Sequence, residues 1–201
     1  MTYGTNSPRG FQPYNTGLGG GFTGVLTEYP LSTGVTNTIF NGDPVSLSTA
    51  GVIDRATAST AVLGVFYGCK YRTAAGDAAG QFAYAYWPGA PTIVAGTTPV
   101  ALVQDDKKTR FTIQETSAAG ASGTPLTKAA VGNNANFLYT AGSVTTGQSA
   151  CSLDNQTSAT TLVGNCKIVG IDPRVGNAAG AFANWIVEFN NDVFKAGSTR
   201  P

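Results

Sequence analysis

Apolar side chains recur along this chain in short bursts of period two, and no long stretch carries a convincing helical period. Val45-Ser46-Leu47-Ser48 alternates apolar and polar positions. From 82 to 87 aromatics alternate with alanine. That places Phe82, Tyr84 and Tyr86 on one face and Ala83 and Ala85 on the other. Residues 25–29, 35–40 and 61–67 read as further strands, the last apolar enough to be buried. Asn41-Gly42-Asp43-Pro44 reads as a turn, because Asn and Gly both tolerate positive φ. Residues 100–104 and 110–114 flank Asp105-Asp106-Lys107-Lys108-Thr109. This predicts a hairpin with a solvated, charged tip and sets Glu115 across from the aspartates. Residues 136–139, 149–153, 167–172 and 185–190 complete the series. The Ala- and Gly-rich stretches 74–79 and 118–121 are too short and too broken by glycine for stable helices. Many short strands at spacings of roughly 8–15 residues predict an all-β fold, a β-barrel or β-sandwich. Residues 42–47 leading to 63–68 echo 147–153 leading to 167–171, as either a duplicated hairpin or a coincidence.

Residues 1–24 depart from the pattern. Seven glycines, with Pro8 and Pro13, interrupt any continuous helix or strand. Yet Tyr3, Phe11, Tyr14, Leu18 and Phe22 punctuate the segment, and a flexible linker has no need of aromatics. The expectation is an extended, Gly-rich N-terminal arm over 1–24 and a single β-rich body over 25–201. On that reading Phe11, Tyr14 and Phe22 are buried against another chain, and removing 1–24 leaves the body folded. The alternative is a terminal strand folded onto its own body.

Composition then narrows the function. The chain has 201 residues, no histidine and 11% charged residues, against roughly 25% in an ordinary domain. Histidine is the commonest acid/base group and metal ligand near neutral pH, so the usual catalytic routes are closed. No enzyme activity, metal or cofactor is expected. A serine nucleophile would need Lys or a carboxylate as its base, and neither Gly-x-Ser-x-Gly nor Ser-x-x-Lys occurs. Asp43, Asp54, Asp77, Asp154, Asp172 and Asp192 lie beside Gly, Pro, Asn or strand ends, as turn residues do. A net charge of +1 offers no overall field for nucleic acid or an anionic membrane, and no apolar run is long enough to span a bilayer. The first twenty residues lack the apolar core of a secretory signal, so a cytoplasmic start is expected. Cys69, Cys151 and Cys166 read as buried, reduced thiols, with a Cys151–Cys166 disulfide as the alternative. Tyr84, Tyr86 and Trp87 make either a packed core or subunit interface, or a stacking face for sugars. Spread over a surface of roughly 9,000 Å², so few charges leave an exterior suited to being covered.

Several short motifs follow one another in order: Gly10-Phe11-Gln12-Pro13, Ile39-Phe40-Asn41-Gly42-Asp43-Pro44-Val45, and Leu63-Gly64-Val65-Phe66-Tyr67-Gly68-Cys69-Lys70-Tyr71. Tyr86-Trp87-Pro88-Gly89, Phe111-Thr112-Ile113-Gln114 and a Gly-rich second half come after. In that order they resemble the small capsid cement or decoration proteins of tailed bacteriophages, particularly short-tailed phages. The resemblance implies a β body on the outer surface of a capsid, with the phage major capsid protein as its partner. It also implies an arm crossing between capsid subunits, whose contacts would fall on Tyr3, Arg9, Phe11, Tyr14 and Phe22. Self-association is implied too, a trimer favoured over a dimer, with no catalytic residues. The chain is then expected in the virion after assembly in the host cytoplasm. A carbohydrate- or receptor-binding virion domain using Tyr84, Tyr86 and Trp87 is the alternative reading. A glycosidase relying on Asp106 is the remotest.

Overall fold

The computed structural model describes residues 4–16, 24–73, 82–116, 123–160 and 164–194. The chain runs through β1 (Gln12–Thr16), β2 (Thr27–Pro30), β3 (Ile39–Phe40), β4 (Pro44–Leu47), β5 (Ile53–Arg55) and β6 (Gly64–Tyr71). It continues through β7 (Phe82–Tyr84), β8 (Tyr86–Trp87), β9 (Val100–Gln104) and β10 (Thr109–Thr116). Last come β11 (Asn134–Ala135), β12 (Phe137–Leu138), β13 (Ser152–Asp154), β14 (Cys166–Ile171) and β15 (Asn184–Phe189). Among the described residues the single helical element is one 3-10 turn, Lys128–Ala130, so the fold is all-β, as the alternation predicts.

Two long strands organise the two larger sheets, beside a small third sheet of β3 and β8. β6 pairs with β9 along one edge, and with β4 and then β7 along the other. With β2 outside β9 and β5 outside β4, these six strands curl into a nearly closed, barrel-like sheet. β10 does the same for the second sheet. Its one edge takes β15, then β14 and β11; its other edge takes β1 and, further along, β13 with β12. Strand alternation sends neighbouring side chains of β6 into different cores. Val65 belongs to the core that holds Phe11, Phe111, Ile113, Ile168 and Trp185, whereas Phe66 belongs to the core that holds Ile39, Val45, Ile53, Trp87 and Val103.

The structure corrects the expected hairpin and the placement of its acidic residues, and it decides between the two readings of the internal echo. The predicted hairpin at 105–109 is a crossing: β9 belongs to the barrel-like sheet and β10 to the other, and the two do not pair. A polar tip with good turn residues serves either geometry, so the local pattern cannot distinguish them. Asp105 is not a solvated tip residue, since it accepts hydrogen bonds from Thr27 Oγ1 at 2.8 Å and Tyr29 Oη at 2.7 Å. Glu115 lies inside the core rather than across a hairpin. The internal echo is no duplication, because β4 pairs with β6 while β13 and β14 have different partners.

The N-terminal segment also departs from expectation. Residues 12–16 are strand β1, antiparallel to β10, and Phe11 is 1% exposed within this chain's own core. Its ring lies 5.0 Å from Phe189 and 6.1 Å from both Phe111 and Phe137. The Phe11 ring is therefore packed inside this chain rather than left free for a neighbour. A large ring with three aromatic neighbours at home gains nothing further by docking elsewhere. Strand β1 and Phe11 pack on this chain's own sheet and core, as a terminal strand folded back would. Tyr3 and Phe22 lie outside the described residues.

Turn chemistry follows expectation. Asp43 Oδ2 accepts from the Phe40 amide, Asp154 Oδ1 from Gln156, and Asp192 Oδ1 from Phe194. Gly42 adopts φ 96°, as its Asn-Gly turn requires. Asp77 lies outside the described residues. All three cysteines are free and buried, and burial raises each thiol's pKa, that of Cys69 to about 12.

Candidate functional site

A groove of about 590 Å³ lies between the N-terminal segment and the loop that leads into β15. Its construction begins at Gly10. That residue sits at φ 69°, and a Cβ there would come within 2.4 Å of the Gly42 carbonyl oxygen. Only glycine lets the chain lie so close, with the Gly10 amide donating to Cys151 and the Phe11 amide to Gly42. The preceding carbonyl, that of Arg9, accepts from Gln12 Nε2 at 2.7 Å and Gln148 Nε2 at 2.8 Å. The backbone under Arg9 is thus fixed, and its exposed side chain projects from a rigid base.

Gln114 ties the floor together. This largely buried amide accepts from the Ser7 amide at 2.8 Å and donates to the carbonyls of Thr5 and Phe182, both at 3.0 Å. Phe182 is a non-glycine residue at φ 60°, a backbone strain of roughly 1–3 kcal/mol that the surrounding bonds must hold in place. Across the groove stand Arg174 and Asn184. Arg174 Nε and Nη2 both contact Asp172 Oδ2; the Asp172 side chain is fully buried, while that of Arg174 remains 65% exposed. Tyr14 of β1, at 36% exposure, also lines the groove.

The predicted aromatic face divides. A bend at Ala85 ends the alternation and separates β7 from β8. Trp87 is fully buried, with its indole Nε1 donating to the Val35 carbonyl at 3.1 Å, so it is core and offers nothing to a ligand. Tyr84 stacks on Tyr71 with centroids 4.2 Å apart, and Tyr86 on Phe40 at 5.5 Å. Both tyrosines stay half-buried. Of the predicted contact residues the structure therefore brings Arg9 and Tyr14 together in one groove and sends Phe11 and Trp87 into separate cores.

Sequence reasoning missed Arg174, Asn184 and Gln114. The exposed Val175, between Arg174 and Gly176 after a Pro, is the local signal of a protruding loop there. Nothing in the spacing tells that this loop meets residues 7–14.

A second constellation is internal. Asp43 Oδ1 accepts from Ser149 Oγ, which in turn accepts from the Cys151 amide, and burial pushes the Asp43 carboxyl up to about 6. Neither Asp43 nor Ser149 is open to solvent, so this pair joins the two sheets rather than meeting a substrate. Among the described residues no three His, Cys, Asp or Glu side chains converge as a metal site would require. No described helix is long and apolar enough to cross a membrane. Comparison with protein-family models, with curated proteins and with solved structures finds no match.

Proposed function

We propose that this chain is a structural virion protein that binds the outer surface of a capsid and cements its major capsid protein subunits together. The carrying observation is where its few charges go. Five of its eleven carboxylates, on Asp43, Glu115, Asp154, Asp172 and Asp192, are buried. The exterior is left sparsely charged, with Val25, Tyr67, Val131, Val144 and Val175 exposed at separate places. Covering such a surface costs little desolvation and gains area at many points. A β body with its connections tied by buried hydrogen bonds suits a staple that must not deform. Repetition on a symmetric shell multiplies modest affinities by avidity, and an oligomer, a trimer before a dimer, fits that use. The motif order given above points the same way.

Purified virions carrying this chain test the reading by quantitative mass spectrometry. A copy number within a small ratio of the major capsid protein is expected. A dozen or fewer copies per particle would instead mark a vertex or tail component.

The carbohydrate-binding alternative now rests on the half-exposed Tyr84 and Tyr86. Each has one ring face already covered by its own chain, which leaves little platform for a sugar. Glycan-array binding lost on Tyr86→Ala would favour it.

A further inference from the structure

The groove at Arg9 combines an unneutralised cation with uncommitted hydrogen-bonding groups on a rigid frame. Among the described residues no carboxylate lies within ion-pairing distance of the Arg9 guanidinium, whereas Arg110 and Arg174 each have one. The Asn184 side-chain amide and the Tyr14 hydroxyl line the same groove and make no hydrogen bond within the described chain. Arg174, held by the buried Asp172, adds a second, already oriented guanidinium. We propose that this groove receives a side-chain carboxylate from an extended, acidic segment of the capsid shell protein, with Arg9 as its principal contact. This inference rests on the cement reading above.

Charge complementarity selects the occupant. With five carboxylates withdrawn to the interior, basic side chains outnumber acidic ones outside, and Arg9 has no ion-pair partner among the described residues. A planar guanidinium binds a carboxylate through paired N–H donors, and an amide and a phenol beside it complete the oxygen's shell. The open groove of about 590 Å³ accommodates a few residues of extended chain. It does not invite an added β-strand, because Pro13 and the irregular register between Pro13 and Asn15 blunt the β1 edge. Preorganisation reduces the ordering cost of binding. Gly10 and the two bonds to the Arg9 carbonyl fix one wall, and the three bonds of Gln114 fix the floor.

The test uses shells prepared without this chain and the full-length protein, with binding measured by co-sedimentation. Arg9→Glu should weaken shell binding roughly tenfold or more, and Arg9→Lys should retain most of it. Zero-length carbodiimide coupling of the Arg9→Lys variant should join position 9 to an Asp or Glu side chain of the shell protein. Asn184→Asp, which puts a like charge opposite the incoming carboxylate, should weaken binding in the same direction. Because neither side chain has a partner within the described chain, both variants should melt as the wild type does. Wild-type affinity in Arg9→Glu and Asn184→Asp alike would overturn the groove and leave the cement reading standing. Wild-type protein that fails to bind shells would overturn that reading, and the groove with it.

Discussion

One oxygen of Glu115 accepts from the Leu126 amide at 3.0 Å and from Trp185 Nε1 at 3.2 Å, while its other oxygen has no partner among the described residues. The residue is fully buried, and desolvation of the charged form pushes its carboxyl from an ordinary 4.5 up to about 7, against the lowering effect of those two bonds. Asp43 moves in the same direction, from 3.8 to about 6, again chiefly by desolvation. The folded state therefore holds these protons more tightly than the unfolded chain does. Their contribution is fully present below about pH 4 and is lost as the pH rises through 6 and 7. For Glu115 the loss is on the order of 3 kcal/mol. Denaturant unfolding between pH 4.5 and pH 8 should show wild-type stability falling with rising pH. Glu115→Gln keeps an acceptor for Leu126 and Trp185 and cannot ionise, so its slope should be clearly shallower. Equal slopes for the two proteins would place the pH dependence elsewhere.

At the scale of elements, β1 is where the sequence pattern and the fold part most sharply. Alternation makes β4, β6, β9, β14 and β15 legible, because each buries one side chain in two or a continuous run. Gln12–Thr16 has no such alternation and includes a proline, so only its partner β10, some hundred residues away, makes it a strand. A single Phe flanked by Gly and Pro reads equally as an anchor for a neighbour or for the chain's own core. The groove was half legible for the same reason: Arg9 and Tyr14 stand out locally, whereas Arg174 and Asn184 arrive through the pairing of β15 with β10. Phe11 discriminates the two cases. Phe11→Ala should cost about 3–5 kcal/mol in urea unfolding, as loss of a buried aromatic does. Deletion of residues 1–16 should lower the melting temperature further, since it also removes the β1–β10 ladder. An arm lying on another chain would leave both values near wild type in the isolated protein.

Considered as one molecule, the chain carries two cores, and each holds one of its two tryptophans: Trp185 in the core around Phe11, Trp87 inside the barrel-like sheet. Whether they act as one body decides how well the protein can transmit load between its contacts. β6 supplies Val65 to one core and Phe66 to the other, so neither can lose its packing without disturbing the shared strand. Backbone bonds reinforce the joint, from Phe11 to Gly42, from Gly42 to Phe66 and from Val62 to Asn191. The buried Ser149–Asp43 bond crosses the same boundary, and breaking it would leave a buried carboxylate short of a donor. These couplings tie the two cores to one strand and one set of bonds, so unfolding should be a single cooperative step. Trp87→Phe leaves fluorescence from Trp185 alone, and Trp185→Phe leaves Trp87 alone. In each variant the fluorescence transition should coincide with the loss of far-ultraviolet circular dichroism, whatever the shift in overall stability. A Trp87 transition displaced from the circular-dichroism curve would show that the barrel-like sheet unfolds by itself. It would then act as a separate unit joined to its neighbour, and the body would bend under load at the crossing between β9 and β10.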